Sequence, residues 1–196
     1  TVRGTTATTT VDMGGGADTL DVGPGAVEAA AGISGTLTAS KITGMGGEIS
    51  YNQTSADAET LIISLGAGQD DFTVTTTHGS THTTAKGGGG NDTITVKGSG
   101  LGGELHVFGG AGMDYILFED HSGTTTLNGD TKDDNINDIA PPVCDPNTTP
   151  CPGDDRFFIQ KADGNLKVYG GVGADKYFIA SQASPDSFTT GGVYDD

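Results

Sequence analysis

The sequence has no tryptophan, and only 33% of its 196 residues are hydrophobic. A chain of this length ordinarily forms one domain, but so little apolar material excludes a wide globular core. A narrow core, one or two side chains across, suits the composition better. We therefore expect residues 1–196 to form a single domain with a thin core.

Basic residues are also scarce. Nine Lys and Arg stand against 26 Asp and Glu, which leaves a net charge of −17. This charge argues against nucleic acid and anionic membrane surfaces as partners and favours cations. No apolar stretch is long enough for membrane insertion. Because the chain has neither an initiator Met nor a signal peptide, we expect a mature or excised part of a larger protein.

Cysteine is limited to Cys144 and Cys151, which flank a short segment that contains two prolines. A metal site would need further Cys or His nearby, whereas the pair suits a disulfide that staples a loop over residues 141–152. A disulfide implies an oxidising compartment. We therefore expect an extracellular or cell-surface protein.

Glycine, by contrast, is abundant, and many of its 34 residues recur in register with aspartate. The complete pattern occupies residues 87–92, 109–114 and 170–175, which end at Asp92, Asp114 and Asp175. Weaker copies end at Asp18, Asp70, Asp134, Asp155 and Asp196. Successive aspartates from Asp70 onward lie 20 to 22 residues apart. A fixed period of this size is typical of solenoids, whose repeats bury their apolar faces only by stacking.

The segment after most of these aspartates alternates between polar and apolar residues. Such alternation, rich in β-branched and aromatic residues, predicts a strand with one buried face. The predicted inward pairs are Leu20/Val22, Phe72/Val74, Ile94/Val96, Ile116/Phe118, Phe157/Ile159 and Tyr177/Ile179. A second strand is predicted at Leu61/Ile63, Leu105/Val107 and Leu166/Val168. The sequence therefore predicts an all-β fold: a parallel β-solenoid of about nine coils, each with two main strands and a Gly-rich turn ending in aspartate.

Two regions depart from the period. The interval from Asp18 to Asp70 has room for two coils and an insertion around residues 23–35, in which residues 24–31 suit a helical turn. Residues 46–48 (Gly-Gly-Glu) take the place of an aspartate turn there. The loop over 141–152 would replace the second strand of the coil between Asp134 and Asp155.

The glycine–aspartate segments resemble the hemolysin-type calcium-binding repeats, known as RTX, whose motif is Gly-Gly-x-Gly-x-Asp-x-U-x with U apolar. In that family the repeats form a parallel β-roll, in which turn carbonyls and the motif aspartate hold calcium. The resemblance implies Ca²⁺ as cofactor, bound by Asp92, Asp114 and Asp175 and by the weaker members Asp18, Asp70, Asp134, Asp155 and Asp196. The family repeats in nine-residue units, whereas the period here is about 21. We therefore expect calcium at one edge of each coil rather than two.

The stacking itself also bears on the metal. Two carboxylates about 5 Å apart repel by roughly 0.8 kcal/mol in water and about 3 kcal/mol at an effective dielectric of 20. A hard cation bound by carboxylate and carbonyl oxygens would offset that repulsion. The alternative is that each aspartate caps the N–H groups of its own turn, as in Asx-turns.

No cluster of catalytic residues is visible. Arg3 and Arg156 are the only arginines, the lysines are dispersed, and the four histidines show no metal-ligand spacing and are expected at the surface. We therefore expect a non-enzymatic, calcium-stabilised structural or adhesive protein, such as a stalk, surface-layer or filament subunit. The alternatives are a carbohydrate-binding module and a lyase- or epimerase-type β-helix that acts on polysaccharides.

The expected partner is a second copy of the chain. The outward positions Tyr115, Leu117, Phe158 and Phe178 would form an apolar contact surface, which usually marks an interface. Read head to tail, Asp196 runs into Thr1-Val2 in the motif pattern, so copies could stack end to end. Glycans are the other class of partner that the aromatic surface allows.

Overall fold

The computed structural model describes residues 1–52, 59–98, 103–130, 153–180 and 188–190. Four residues with predicted roles lie outside these ranges: Asp134, Asp196, Cys144 and Cys151. The metal ligation and the disulfide assigned to them remain predictions.

The described residues form one short helix and seventeen strands. In chain order they are β1 (Val2–Arg3), β2 (Thr9–Asp12), β3 (Thr19–Gly23), α1 (Ala26–Ala31), β4 (Ser34–Leu37), β5 (Lys41–Met45), β6 (Gly47–Asn52), β7 (Glu59–Gly66), β8 (Asp71–Val74), β9 (Thr81–Gly89), β10 (Thr93–Val96), β11 (Glu104–Ala111), β12 (Tyr115–Phe118), β13 (Thr124–Asn128), β14 (Arg156–Ile159), β15 (Leu166–Tyr169), β16 (Lys176–Ile179) and β17 (Phe188–Thr190).

The strands form two sheets, and from β7 onward the chain alternates between them. Sheet 1 has the order β1-β3-β7-β9-β11-β13-β15-β17, with parallel pairing throughout. Sheet 2 has the order β16-β14-β12-β10-β8-β4-β5-β6-β2 and is antiparallel only where β5 meets β4 and β6. The fold is therefore all-β with largely parallel sheets, as predicted, and this arrangement is compatible with a β-solenoid.

The core lies between the sheets and uses the inward positions that the alternation predicts. In sheet 2, Phe72, Ile94, Ile116 and Phe157 are completely buried and stack from strand to strand. The predicted second-strand residues Leu61, Ile63, Leu105, Val107, Leu166 and Val168 are at most 1% exposed. The last predicted pair differs: Tyr177 is only partly buried and Ile179 is 50% exposed, because β16 is the last strand of sheet 2 in the described part of the chain.

The coil predicted between Asp134 and Asp155 does not form a separate layer between the described strands. Strand β12 pairs directly with β14, so that Ile116 lies beside Phe157, and β13 pairs directly with β15. Hydrogen-bonded strands are about 4.8 Å apart, which leaves no space for another strand between them. No further strand therefore lies between β12 and β14 or between β13 and β15.

The interval from Asp18 to Asp70 is also built differently from the prediction. Helix α1 confirms the expected helical turn. The two regular coils expected around it are wrong, because β5 runs antiparallel to both β4 and β6. Gly44 and Gly46 have φ values of 92° and 90°, which L side chains rarely adopt, and they allow the tight reversal between β5 and β6.

Candidate functional site: a ladder of buried aspartates

Five motif aspartates lie at equivalent points of successive layers, directly before the strands of sheet 2. Each ends the glycine-rich turn through which the chain leaves sheet 1, as Asp92 does between β9 and β10. Because the strands stack in register, the five carboxyl groups form a column. We call this column the aspartate ladder; its members are Asp70, Asp92, Asp114, Asp155 and Asp175.

Backbone hydrogen bonds connect the ladder from layer to layer. The Oδ1 atom of each aspartate accepts a hydrogen bond from the backbone N–H of the preceding ladder member. The four distances from backbone N to Oδ1 are 2.9 Å from Asp70 to Asp92, 2.8 Å from Asp92 to Asp114, 2.7 Å from Asp114 to Asp155 and 2.9 Å from Asp155 to Asp175. Asp70 Oδ1 accepts the N–H of Ile33 at 2.6 Å. These side chains therefore bond to the neighbouring layer, which differs from the Asx-turn alternative.

The second carboxylate oxygen of the ladder is buried without a partner. Oδ2 of Asp70, Asp92, Asp114 and Asp155 has no hydrogen bond within the described residues. These four residues are at most 2% exposed. An unpaired buried acceptor costs about 1–3 kcal/mol, and more when it is charged. The ladder therefore contains four buried carboxylate oxygens whose hydrogen-bonding capacity is not satisfied within the described residues.

Glycine at the first position of the complete motifs makes room for this oxygen. A Cβ atom on Gly87 would clash with Oδ2 of Asp92, and one on Gly109 would clash with Oδ2 of Asp114. Further along the same turn, Gly110 and Gly112 have φ values of 120° and 141° and lie against the carbonyl oxygens of the layer before. The turn therefore brings carboxylate and carbonyl oxygens together, and at its glycine positions no side chain separates the layers.

Burial raises the pKa values of the ladder carboxyl groups. Desolvation raises the pKa of Asp155 to about 9, against the hydrogen bond from the Asp114 N–H and with the repulsion of neighbouring carboxylates. Desolvation likewise raises the pKa of Asp92 to about 7 and those of Asp114 and Asp175 to about 6. The pKa of Asp70 is also raised, mainly by desolvation. Near neutral pH, binding of either protons or a cation would therefore stabilise the ladder.

The donor atoms suit a hard cation. Calcium takes six to eight oxygen ligands, including carboxylates and backbone carbonyls, and the ladder supplies one unpartnered carboxylate oxygen in each of four layers. Across the described ranges, no three His, Cys, Asp or Glu side chains form a group that could hold a metal. In the described residues the ladder carboxylates alone therefore do not make up a complete set of metal ligands.

Asp18 does not join the ladder. Its strand β3 pairs with β7 in sheet 1, so that Leu20 lies beside Leu61. The backbone N–H of Asp18 donates to Oε2 of Glu59 at 2.8 Å. Glu59 is completely buried, and its Oε1 has no partner among the described residues. The alternation of residues after Asp18 fits a strand of sheet 1 as well as a strand of sheet 2. The sequence pattern therefore could not assign β3 to one of the two sheets.

Sequence reasoning missed a second set of side chains that connect layers. Asn91 and Asp154, each directly before a ladder aspartate, accept the N–H groups of Met113 and Ala174 at 3.0 and 2.8 Å. Asp130 accepts the N–H of Val172. The available signal was an Asx residue directly before the motif aspartate, which occurs in two of the layers.

The expectation of surface histidines is wrong for His121. This residue is 1% exposed, and its ring nitrogens contact the hydroxyls of Thr77 at 3.1 Å and Thr125 at 2.9 Å. Burial lowers its pKa. His121 therefore serves as a neutral polar bridge inside the stack.

No family model, curated protein or solved structure matches this chain. In the part of the chain that the structure describes, no helix is long and apolar enough to cross a membrane.

Proposed function

We propose that the chain is an extracellular structural or adhesive β-solenoid of the RTX type, stiffened by calcium, which serves as a stalk, surface-layer or filament subunit. The aspartate ladder is the observation that carries the proposal. Its carboxylates connect layer to layer, and its unpartnered oxygens and glycine carbonyls are the ligands that calcium prefers.

Calcium has a clear physical role in this proposal. Without it, the ladder at neutral pH must either hold protons or bury unpaired negative charge, and the buried charge weakens the fold. A divalent cation would satisfy the Oδ2 atoms and remove the repulsion between layers. Since each ion would bridge turns of neighbouring layers, the proposal predicts axial stiffening.

A calcium titration tests this role. Protein stripped with a chelator is melted at pH 7.5 while calcium is added, with far-UV circular dichroism as the readout. We expect the melting temperature to rise as calcium saturates the sites. The double variant Asp92→Asn/Asp114→Asn should lose much of the rise, whereas the control Asp71→Asn, at an exposed neighbouring acid, should keep it. A melting temperature that does not respond to calcium would refute the calcium role.

Assembly of copies end to end is the second part of the proposal. Ile179 occupies an inward core position and is nevertheless 50% exposed, and Phe178 beside it is 47% exposed. A second copy that covers this end would bury both. Sedimentation velocity and electron microscopy, with and without calcium, test for it. Monomers at all concentrations would contradict self-assembly without affecting the calcium role.

The outer aromatic residues favour a packing role. The ring of Phe158 stacks on Tyr115 and Phe178, with centroid distances of 4.7 and 4.4 Å. Rings that stack on one another cover their faces, which are the surfaces that a sugar ring would use. The stacked rings of Tyr115, Phe158 and Phe178, which we call the outer aromatic column, therefore support packing between layers. A glycan site is expected elsewhere on the surface.

A further inference from the structure

The outer face of sheet 1 contains a trough one strand wide. Strand β13 presents three short side chains there, Thr124, Thr126 and Asn128, and they form the floor. The flanking strands β11 and β15 carry longer side chains at the paired positions. Since each strand lies about 4.8 Å from the next, the backbones of β11 and β15 are roughly 10 Å apart. The side chains narrow this gap, so the groove admits at most one ring across its width.

The wall on β11 is held in place by its own contacts. The Glu104 carboxylate accepts two hydrogen bonds from histidine rings. Its Oε2 atom lies 2.6 Å from Nδ1 of His82, and its Oε1 atom lies 2.9 Å from Nε2 of His106. The ring of His106 lies 6.5 Å from that of Phe108, which is 6% exposed and packs at the base. Side chains fixed in this way lose little entropy when a ligand binds, which favours recognition.

The second wall of the trough is formed by side chains of β15. It consists of Lys167, which is exposed, and Tyr169, which is half-buried. Lys167 lies beside Thr126, and Tyr169 lies beside Asn128. The trough therefore combines aromatic rings with hydroxyl, amide, ammonium and carboxylate groups, which are the donors and acceptors that a polyhydroxylated ring requires.

Charge selects among such ligands. The trough contains one carboxylate, Glu104, and one ammonium group, Lys167, so the two formal charges cancel. The whole chain carries −17, which repels polyanions at long range. Uronate polymers and phosphates are therefore poor candidates, and an uncharged sugar suits the site.

We propose that this trough, between Glu104–His106–Phe108 and Lys167–Tyr169, binds a neutral sugar residue of a polysaccharide. The site goes beyond the structural role proposed above and requires neither calcium in the ladder nor self-assembly. It also differs from the outer aromatic column of sheet 2, which the sequence had suggested for glycans.

Isothermal titration calorimetry with cellohexaose, xylohexaose, maltohexaose and chitohexaose tests the site, with oligogalacturonate as the charged comparison. Tyr169→Ala removes one wall, and Thr126→Arg fills the floor without removing any packing. We expect at least one neutral hexasaccharide to bind, and both variants to bind it at least tenfold more weakly. The control Tyr115→Ala, on the other sheet, should bind within twofold of the unsubstituted protein.

Each alternative outcome overturns the proposal. These outcomes are no binding by any neutral probe at millimolar concentration, unchanged affinity in Thr126→Arg, a comparable loss in Tyr115→Ala, and tighter binding of oligogalacturonate. Melting curves confirm that each variant is folded. The calcium response of Thr126→Arg is recorded separately, so that failure of the sugar site and failure of the calcium role remain distinguishable.

Discussion

Oδ1 of Asp155 accepts a hydrogen bond of 2.7 Å from the backbone N–H of Asp114, although the two residues are 41 positions apart. The other contacts between ladder members span 20 or 22 positions. The ladder therefore continues across residues 131–152 as if they were absent. The stack therefore keeps its register on both sides of the cysteine-containing segment.

Replacement of residues 131–152 by one glycine should leave the fold intact. Because Phe108 pairs with Asn128 and Tyr115 with Arg156, Asp130 aligns with Gly110 and Gly153 with Gly112. One residue is then enough to join them, and the interval between Asp114 and Asp155 falls to the 20 positions seen between Asp155 and Asp175. We expect a cooperative melt within a few degrees of the full chain. Loss of cooperative unfolding would show that the segment contributes to the stack.

Two substitutions at Asp92 should separate its hydrogen bond from its charge. Asp92→Ala leaves the buried N–H of Asp70 without its acceptor and should cost about 1–3 kcal/mol. Asp92→Asn keeps the Oδ1 acceptor and removes the buried charge, so in chelator at pH 7.5 it should be at least as stable as the unsubstituted chain. Urea denaturation measures both variants. Equal destabilisation by Ala and Asn would contradict the role assigned to Oδ1.

The chelated protein should lose stability as the pH rises. Burial raises the folded-state pKa of Asp114 and Asp175 to about 6, of Asp92 to about 7 and of Asp155 to about 9, from an ordinary value of 3.8. The folded state therefore binds more protons than the unfolded state across this range. The stabilisation is fully present below about pH 4 and is lost as the pH passes through those values.

Urea denaturation in chelator at pH 5, 6, 7.5 and 9 measures this slope. Asp155→Asn is the matched control, because it should remove most of the fall between pH 7.5 and 9 while the fall at lower pH remains. A variant with the same slope as the parent would mean that general charge repulsion, and not the ladder, sets the dependence.

The first glycine of the motif should not tolerate a side chain. In Gly87→Ala the new methyl group would clash with Oδ2 of Asp92 and with the carbonyl of Gly109, so we expect a loss of more than about 2 kcal/mol. Gly89→Ala is the control, since its methyl group would meet only Ala67 at 3.7 Å and beyond, and Ala111 already occupies the paired position. Similar melting temperatures for the two variants would contradict the steric explanation.

Local patterns in the sequence were enough to predict most of the strands and their inward faces. Phe72, Ile94 and Leu105 are buried where alternation placed them, because a half-buried strand shows its face in a period of two. The recurrence of Gly and Asp likewise predicted parallel stacking, since equal spacing brings equivalent residues into one column. The first signal depends on residues close together in the chain, and the second on a spacing that repeats every 20 to 22 residues.

The pairing partners depended on contacts between distant residues. Asp18 shows the same local pattern as Asp70, yet its backbone N–H donates to Glu59, because β3 pairs with β7 in sheet 1. Asp114 hydrogen-bonds to Asp155 and not to a residue 20 positions away, because β12 and β14 extend the same buried core. Alternation is identical in both sheets, so it cannot specify which strand lies beside which. That choice requires the packing of side chains across the core, which exists only in the folded chain.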